Sequence, residues 1–487
     1  MEYETIIGLE VHAQLLTRSK KYCGCSADYA SAPPNTHVCP VCLGMPGVLP
    51  VINKQAVEFT MMTALALNCP VSDFTKFDRK NYPYPDLMKG YQISQFDAPI
   101  GRKGWLTIEV DGQRKQIGIT RVHLEEDVAK LLHRTSPDGD YSLVDVNRSG
   151  CPLMEIVGEP DLRSPEEARQ YLVKLRSILQ YLGVSTGNME EGSFRCDANI
   201  SVRPVGSAEF GAKVEVKNMN SFKAVYLAME YEAQRQRKAA AEGKRLVQET
   251  RGWVEAQGKT VSQRSKEYAH DYRYFPEPDL PPLVIGRDWV EAVRKRLPEL
   301  PEARRNRFIS DYNLPVGSSS QIASAKDMAD FFEHSVKSHK DASPKEISNW
   351  ILGEVSRITN ENKINFFEFE KKVLPIKFFE LTDLVVKGTI TGTMAKPILE
   401  EMFNTGKSAA EIIKERGLSQ ISDTGELEKI VAEVINSNIQ PVADYRAGKE
   451  TALKYLVGQV MKATRGRANP QLVNDMLKQK LAETSSS

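Results

Sequence analysis

The sequence predicts an α+β fold, in which a sheet-rich domain is followed by two all-α domains. Up to about residue 285, short alternating apolar and polar segments are separated by Gly and Pro, which is typical of strands joined by turns. From about residue 290 onward, apolar residues recur at helical spacing, as in Phe331, Phe332 and Val336. We therefore expect a sheet-rich domain and two helical domains, at 1–290, 291–412 and 413–487.

Composition places the chain among soluble globular proteins, with 487 residues, 41% hydrophobic and 26% charged. The sequence contains no run of 18 apolar residues, so we expect no membrane span. The first residues lack the pattern of a signal or transit peptide. Four of the seven cysteines crowd between residues 23 and 42, which is unlike a secreted disulfide framework. We therefore expect a cytoplasmic protein.

Two helices are expected within the sheet-rich domain. Ser164 supplies an N-cap, Pro165 suits the first helical position, Glu167 follows three residues after the cap, and Gly183 ends the segment. A second helix is expected from about Phe222 to Glu242. In the last domain we expect three amphipathic helices, at about 424–436, 441–464 and 469–482, the last opened by Asn469 and Pro470.

The first strand brings two chemically useful side chains to one face. In the segment 6–15, Leu9, Val11 and Ala13 alternate with Glu10 and His12, so the carboxylate and the imidazole share the polar face. An edge strand with a wet polar face would give the same pattern. Recurrence of the pattern in other strands is what favours a site.

Three further strands carry carboxylates interleaved with basic side chains on one face. These residues are Arg195, Asp197, Asn199, Ser201 and Arg203 in segment 194–203; Lys213, Glu215 and Lys217 in segment 213–217; and Arg121, His123 and Glu125 in segment 121–125. Glu126 and Asp127 follow directly after the last of these segments. Carboxylates bind hard cations such as Mg²⁺, while Lys and Arg bind anionic substrates, so this composition is typical of a phosphate-handling site. A solvated sheet face remains the alternative.

Four cysteines form two close pairs: Cys23, Cys25, Cys39 and Cys42. Four thiolates suit a closed tetrahedral zinc site, which would be structural because no position is left open. His37 is a less favourable competing ligand, and four unligated buried cysteines are the alternative. The remaining cysteines are expected to be packing residues, namely Cys69, Cys151 and Cys196.

Two familiar motifs are missing from the sequence. Gly258-Lys259-Thr260 resembles the end of a phosphate-binding loop, but Trp253 stands where that loop requires its first glycine. No Gly-x-Ser-x-Gly elbow is present, and the run at 317–320 is expected on a polar loop. Phosphates must therefore be held by side chains and metal, and hydrolysis through an activated nucleophile is not expected.

The end of the chain is basic. From Arg446 to Lys480 there are eight basic and two acidic residues, a net charge of +6, whereas Glu415 to Tyr445 carries −4. A basic stripe at one end favours a nucleic-acid partner, because neutralised phosphates supply most non-specific affinity. A solvated helical face is the alternative.

Eight sequence strings together resemble one protein family. They are IIGLEVHAQL, FDRKNYPYPD, YQISQFD, GITRVHLEED, EEGSFRCDANISVR, VEVKNMNSF, DYRYFPEPDLPP and LVGQVMKATRGRANPQLVNDMLKQKL. In this order they resemble the B subunits of the glutamyl/aspartyl-tRNA amidotransferases, over essentially the whole chain.

The resemblance implies a carbon–nitrogen ligase that uses glutamine as the amide donor. It implies a heterotrimer with two partners, an A subunit that hydrolyses glutamine and a C subunit. The chain itself would use ATP to phosphorylate the side-chain carboxylate of Glu on tRNA(Gln) or Asp on tRNA(Asn), and ammonia would then displace the phosphate. The family also implies a cradle-shaped catalytic domain, a helical domain and a tail that contacts tRNA.

The resemblance also assigns roles to residues. It implies that a Mg²⁺-centred group is formed by Glu10, His12, Glu125 and Glu126. It implies that Asp197 and Glu215 are further metal or substrate ligands. Phosphate contacts would be made by Arg195 and Lys217. No general base is required, since a carboxylate is already ionised at pH 7, so His12 is expected to be a ligand. Structural Zn²⁺ would support the fold beside the site.

Two other functions fit parts of the sequence. A free-standing amide ligase of the glutamine synthetase kind would share the carboxylate and metal chemistry but would not use a basic helical tail. A non-catalytic tRNA-binding scaffold would keep the tail but would not need carboxylates and basic residues on four strands.

Overall fold

The computed structural model describes residues 2–265, 272–416, 424–446, 449–464, 468 and 470–483. The chain divides into two compact units between Leu300 and Pro301. The first unit is built on sheets and the second contains helices throughout its described part, which confirms the predicted α+β class. The predicted division into three domains stays a prediction.

The first unit contains fifteen strands among its described residues, several of them very short. They are β1 (Tyr3–Gln14), β2 (Phe74–Thr75), β3 (Asp78–Asn81), β4 (Tyr91–Ser94), β5 (Gly101–Val110), β6 (Gln113–Glu126), β7 (Lys130–Ser136), β8 (Gly139–Asp145), β9 (Pro152–Gly158), β10 (Phe194–Pro204), β11 (Val214–Lys217), β12 (Glu249–Val254), β13 (Lys259–Ser265), β14 (Phe275–Pro276) and β15 (Leu283–Val284).

Eight of these strands form one sheet in the order β13-β12-β11-β10-β1-β9-β6-β5. All neighbours are antiparallel except β11 and β12. The strand β1 lies in the middle, between β9 and β10, so its polar face is flanked by strands that come from distant parts of the sequence. Short strands form a three-stranded sheet β14-β3-β4, a β15-β2 pair and a β7-β8 hairpin.

Four α-helices complete the described part of the first unit: α1 (Lys54–Ala66), α2 (Pro165–Leu182), α3 (Phe222–Ala241) and α4 (Arg287–Arg294). The alternate strand residues Leu9, Val11 and Ala13 pack into one hydrophobic core with apolar side chains of these helices. Because the helices cover that face, the opposite face of the sheet is left for the polar side chains.

The helix α2 begins and ends as its sequence predicts. The Ser164 hydroxyl accepts a hydrogen bond from the Glu167 backbone N–H, Pro165 occupies the first turn, and Gly183 closes the helix in the left-handed conformation. The Glu167 carboxylate accepts hydrogen bonds from the Arg163 backbone N–H and from Lys115 Nζ. The predicted helix at 222–242 is also confirmed, as α3.

The second unit contains thirteen α-helices in its described part. They are α5 (Pro301–Tyr312), α6 (Val316–Ser324), α7 (Lys326–Lys337), α8 (Pro344–Trp350), α9 (Ser356–Asn362), α10 (Phe366–Lys372), α11 (Pro375–Val386), α12 (Gly392–Thr405), α13 (Ala409–Arg416), α14 (Thr424–Ser437), α15 (Ile439–Arg446), α16 (Glu450–Ala463) and α17 (Pro470–Glu483). Two hydrophobic clusters form within this unit: one contains residues from Phe308 to Ile412, and the other from Leu427 to Leu481.

Two local expectations for this unit are wrong. The run at 317–320 lies in α6 and not on a loop, because Ser319, Ile322 and Ala323 are buried and their packing outweighs the weak helix propensity of Gly and Ser. The helix expected at 441–464 is two helices, α15 and α16, with non-helical Lys449 before α16. The opening residue Asn469 and the basic residues Arg465 and Arg467 lie outside the described residues.

Candidate active site

Strand pairing brings four titratable side chains into one row across the sheet. His12 on β1 lies opposite Arg195 on β10 and opposite Glu155 on β9, and Glu155 lies opposite His123 on β6. Directly opposed residues of antiparallel strands project to the same face, so these four side chains face the same space. The neighbouring row places Glu10 opposite Asp197.

Three of the side chains form a compact group of possible metal ligands. His12 Nε2 lies 3.4 Å from Glu125 Oε1 and 3.5 Å from Glu155 Oε2. One donor atom from each of these residues lies within 4.8 Å of the others. Both carboxylates are buried, so they have little access to water as an alternative partner. A nitrogen and two carboxylate oxygens at this separation fit a divalent cation.

His123 supports this group from the next strand. Its Nε2 lies 3.2 Å from Glu155 Oε2, and the ring is buried. Among the described residues, its Nδ1 has no hydrogen-bond partner. His123 therefore contacts the oxygen of Glu155 that also faces His12, and it can fix the orientation of that carboxylate.

His12 and Glu155 in this group carry opposite charges. Burial lowers the pKa of His12, but the hydrogen bond and charge of Glu155, followed by the charges of Glu125 and Asp197, outweigh burial and raise that pKa to about 9. Burial raises the pKa of Glu155, but His123 and His12 hold it well below its ordinary value. Glu155 is thus ionised at neutral pH, as a metal ligand must be.

A second group of charges lies on β10 and β11. Lys217 Nζ donates to Asp197 Oδ2 at 2.5 Å and lies 3.2 Å from Glu215 Oε1. Burial lowers the pKa of Lys217, but Asp197 and Glu215 raise it by a larger amount. Beside them, Glu10 Oε1 accepts a hydrogen bond of 2.8 Å from Asn199 Nδ2. The ammonium is thus held between two carboxylates and keeps its charge.

Arg195 is anchored by a buried carboxylate. Its Nη2 donates to Asp127 Oδ1 at 3.1 Å, and the same oxygen lies 3.6 Å from Arg148 Nε. Asp127 is 2% exposed, whereas 36% of the Arg195 side chain remains exposed. The guanidinium is therefore fixed in direction while part of it stays open to a ligand.

Lys80 lies close to the same carboxylates. Burial lowers its pKa, but the charges of Glu125 and Glu155, together with the nearby tyrosines, raise it above its ordinary value. Its Nζ lies 4.9 Å from the ring centroid of Tyr272 and 5.9 Å from that of Tyr82. Lys80 therefore adds a cation to the carboxylate group.

The structure does not bring Glu126 into this group. Glu126 Oε1 accepts hydrogen bonds from Lys89 Nζ at 2.5 Å and from the Ile93 backbone N–H at 2.8 Å. It lines a separate cavity of about 210 Å³ together with Lys20 and Cys42. Consecutive residues of a strand point to opposite faces, which separates Glu126 from Glu125.

The four clustered cysteines meet as the sequence predicts. One sulfur from each of Cys23, Cys25, Cys39 and Cys42 lies within 4.8 Å of the others. The Cys39 and Cys42 sulfurs are 3.9 Å apart, near the ~3.8 Å edge of a tetrahedron with Zn–S bonds of ~2.3 Å. A hydrogen bond from Cys23 lowers the pKa of Cys42 to about 5. Four sulfur donors in this arrangement fit a structural metal ion.

The other three cysteines are buried, which confirms their predicted role as packing residues: Cys69, Cys151 and Cys196.

Comparison with family models matches both units of the chain. The GatB/GatE catalytic domain matches residues 5–291, which include every residue of the sites above, and a second model, a GatB domain, matches residues 330–481. The chain belongs to the GatB/GatE family.

Curated relatives of this GatB/GatE chain are similar over nearly their full length. The B subunit of the aspartyl/glutamyl-tRNA(Asn/Gln) amidotransferase of Dehalococcoides mccartyi strain CBDB1 is 59% identical over 99% of both chains. The protein of the same name from Moorella thermoacetica is 58% identical over 99% of this chain and 100% of its own. That of Brevibacillus brevis is 54% identical over 99% of both.

Two neighbours of the predicted site were missed in the sequence, Glu155 and Lys80, whereas His123 was placed on a polar strand face but was given no role in the site. Glu155 stands within the apolar segment Leu153–Val157, where an acidic side chain is unusual for a buried strand. That signal could have identified it, whereas the proximity of Lys80 depends on strand packing.

Within the described part of this GatB/GatE chain, no helix has the length and apolar character needed to cross a membrane.

Proposed function

We propose that this chain serves as the B subunit of a tRNA-dependent amidotransferase and activates the side-chain carboxylate of Glu on tRNA(Gln), or of Asp on tRNA(Asn). The observation that carries the proposal is the polar sheet face, where His12, Glu125 and Glu155 lie close to Lys80, and where Lys217 pairs with Asp197 in the neighbouring row. Family membership and the names of the relatives support it.

The residues at this face suit a divalent cation and a triphosphate. His12, Glu125 and Glu155 would hold Mg²⁺, with Glu10 and Asp197 in the neighbouring row as further candidate ligands. When bound, such an ion neutralises phosphate charge and polarises the transferred phosphoryl group. We propose that ATP is the phosphate donor and that Mg²⁺, held by these residues, is its counter-ion.

The chain's own basic groups have a clear task in the first step. An oxygen of the substrate carboxylate forms a bond to the γ-phosphorus of ATP, the bond to the β,γ-bridging oxygen breaks, and ADP leaves. Two anions must approach each other in this step. Three cations can offset the repulsion between them, because each is held in place. Asp127 holds Arg195, Asp197 holds Lys217, and the ring of Tyr272 lies beside Lys80.

The second step forms the amide. Ammonia attacks the carbonyl carbon of the acyl phosphate, inorganic phosphate leaves, and one proton is lost from nitrogen. The site needs no nucleophilic side chain for this chemistry. We propose that a glutaminase partner, the A subunit, releases the ammonia from glutamine, that a third partner, the C subunit, makes the complex a heterotrimer, and that the complex acts in the cytoplasm.

The four cysteines would hold Zn²⁺ as a structural ion. They lie in the same unit as the carboxylate group but share no ligand with it. In the second unit, Lys454 and Lys478 line a cavity of about 650 Å³ together with Tyr445, which supports a tRNA contact by the basic tail. Glu450 also lines this cavity.

The test uses the chain co-purified with its native partners and both mischarged tRNAs. We expect Glu10→Ala or His12→Ala to abolish ATP-dependent amidation while glutamine hydrolysis by the complex stays measurable. Normal amidation by either variant would refute the site assignment. ATP-independent tRNA binding without turnover would instead indicate a scaffold, and amidation of free glutamate would indicate a free-standing ligase.

A further inference from the structure

Tyr29 joins the loop that carries the four cysteines to the polar face of the large sheet. It lies between Cys25 and Cys39, in the segment that connects the two cysteine pairs. Its hydroxyl lies 3.0 Å from Gln14 Nε2 and 3.2 Å from Gln14 Oε1, so it can accept a hydrogen bond from the amide nitrogen or donate one to the amide oxygen. Gln14 is the last residue of β1 and projects to the same face as His12. The cysteine loop therefore contacts the strand on which the candidate metal group begins.

Gln14 in turn faces the carboxylate that anchors Arg195. Its Nε2 lies 3.5 Å from Asp127 Oδ2, the outer limit of a hydrogen bond. The amide nitrogen carries two hydrogens, so it can donate to the Tyr29 hydroxyl and to Asp127 together. The other oxygen of Asp127, Oδ1, accepts from Arg195 Nη2 at 3.1 Å and from the Val128 backbone N–H at 3.0 Å. Rotation of the Asp127 carboxylate would therefore disturb the contact with Gln14 and the contact with Arg195 at once.

The same loop also fixes the segment that carries a second cation beside Asp127. Arg148 Nε lies 3.6 Å from Asp127 Oδ1, and Asn147 directly precedes it in the chain. Asn147 Nδ2 donates to the Pro33 carbonyl oxygen at 2.8 Å, and Asn147 Oδ1 accepts from the His37 backbone N–H at 2.8 Å. Pro33 and His37 both lie between the two cysteine pairs. The loop thus reaches the surroundings of Asp127 by two independent routes.

We propose that Tyr29 and Gln14 are positioning residues for Arg195, which they hold in place through Asp127. The inference rests on the proposed function, because it takes Arg195 to offset the repulsion between the substrate carboxylate and the phosphates. The loop built around the four sulfurs thereby supports one cation of the site as well as the fold.

The contacts of Tyr29 suit positioning better than packing. The ring is half-buried, and in the described part of the chain it belongs to none of the three hydrophobic clusters. Loss of the hydroxyl should therefore leave the hydrophobic core intact while it frees the Gln14 amide. A freed amide holds the Asp127 carboxylate less firmly, and the guanidinium of Arg195 then loses its fixed direction.

The test is a double-mutant cycle in the complex with the native partners, by single-turnover amidation of radiolabelled Glu-tRNA, which resolves slow variants. Tyr29→Phe should lower the rate constant at saturating ATP about 2- to 10-fold, the range for loss of one hydrogen bond. The half-saturating ATP concentration should not change, because the repulsion is greatest when the two anions approach. In an Arg195→Ala background, Tyr29→Phe should have no further effect, since the group that it positions is gone.

Tyr171→Phe is the matched control. It removes the same atom from a buried tyrosine whose hydroxyl has no hydrogen-bond partner among the described residues, and it should keep the wild-type rate. Gln14→Leu tests the second link, because it removes both hydrogen-bonding groups at similar size. It should lower the rate constant by a similar factor, and adding Tyr29→Phe to it should not lower the rate further. Zinc content should equal that of the wild type in each variant.

Three results would overturn the inference: a wild-type rate in Tyr29→Phe, an equal loss in the wild-type and Arg195→Ala backgrounds, or loss of zinc from Tyr29→Phe. The last would show that the hydroxyl only stabilises the cysteine loop. In each case ATP-dependent amidation by the wild-type complex would still support the proposed function. Full amidation by Arg195→Ala would remove Arg195 from the proposed function, and the inference would fail with it.

Discussion

Replacing Glu333 by Gln should remove a large pH-dependent part of the stability of the helical unit. Glu333 on α7 is 6% exposed and accepts hydrogen bonds from two arginines of α5. Its Oε2 lies 2.6 Å from Arg304 Nη2, its Oε1 lies 2.8 Å from Arg307 Nη1, and Lys337 Nζ lies 3.1 Å away. Three cations thus surround one carboxylate beside a hydrophobic cluster.

The magnitude follows from the pKa of Glu333. Burial raises that pKa, but hydrogen bonds from Arg307, Lys337 and Arg304 outweigh burial and lower it from 4.5 to about 2. At about 1.4 kcal/mol per pKa unit, the ionised group contributes ~3 kcal/mol to the free energy of unfolding. Because the folded pKa is depressed, this contribution is complete well above pH 4.5 and is lost as the pH falls towards 2. By pH 3, ~2 kcal/mol should be gone.

The assay needs a probe that reports on the second unit alone. Trp350 packs against the hydrophobic cluster that Glu333 borders, and the other three tryptophans, at 105, 253 and 289, belong to the first unit. With 5-fluorotryptophan incorporated, the ¹⁹F signal of Trp350 reports local unfolding in urea at pH 6 and pH 3. Glu380→Gln, at an exposed site on α11, is the matched control.

We expect the wild type and the control to lose ~2 kcal/mol more than Glu333→Gln between the two pH values. The variant should also be less stable at pH 6, because Arg304 and Arg307 lose the negative charge of Glu333, although Arg304 keeps its contact with Asp330. Comparing differences between the two pH values cancels the titration of other groups. Equal pH dependence in wild type and Glu333→Gln would refute the reasoning.

The remaining predictions concern the metal sites and the tail. Cys42→Ser should lose about one equivalent of zinc per chain by atomic absorption, whereas Cys69→Ser should keep it; retention of zinc by both would contradict the four-sulfur site. His123→Gln should weaken Mn²⁺ binding to the carboxylate group about tenfold by electron paramagnetic resonance, and unchanged affinity would show that His123 does not orient Glu155. Lys454→Ala should raise KM for tRNA and reduce the salt dependence of tRNA binding, with kcat preserved. If the variant and the wild type have the same KM for tRNA at every salt concentration, the basic stripe is only a solvated surface.

Local chemistry made several features predictable. Alternation along a single strand placed Glu10 with His12, and Asp197 with Arg195, on one face. Capping residues fixed α2, and the spacing of the four cysteines predicted their meeting. Each of these depends on neighbours within a few residues, or on a donor set with one favourable geometry.

The order of the strands in the sheet could not be predicted from the sequence. Only the folded sheet places β9 between β1 and β6, and this order brings Glu155 between His12 and His123. Pairing of distant strands depends on tertiary packing, for which one sequence carries no local signal. The same packing brings Lys80, from the separate β3 strand, near the carboxylates.

The adjacent residues Glu125 and Glu126 show what could be predicted from the sequence and what required the tertiary structure. Sequence reasoning grouped both with the metal, although adjacent strand residues point to opposite faces. The structure places Glu125 beside His12 and Glu126 beside Lys89. The sequence alone determined which residue types the site would contain and on which strands. The tertiary structure alone decided which of them share one space, because that depends on how β1 packs beside β9 and β10, which lie more than a hundred residues further along the chain.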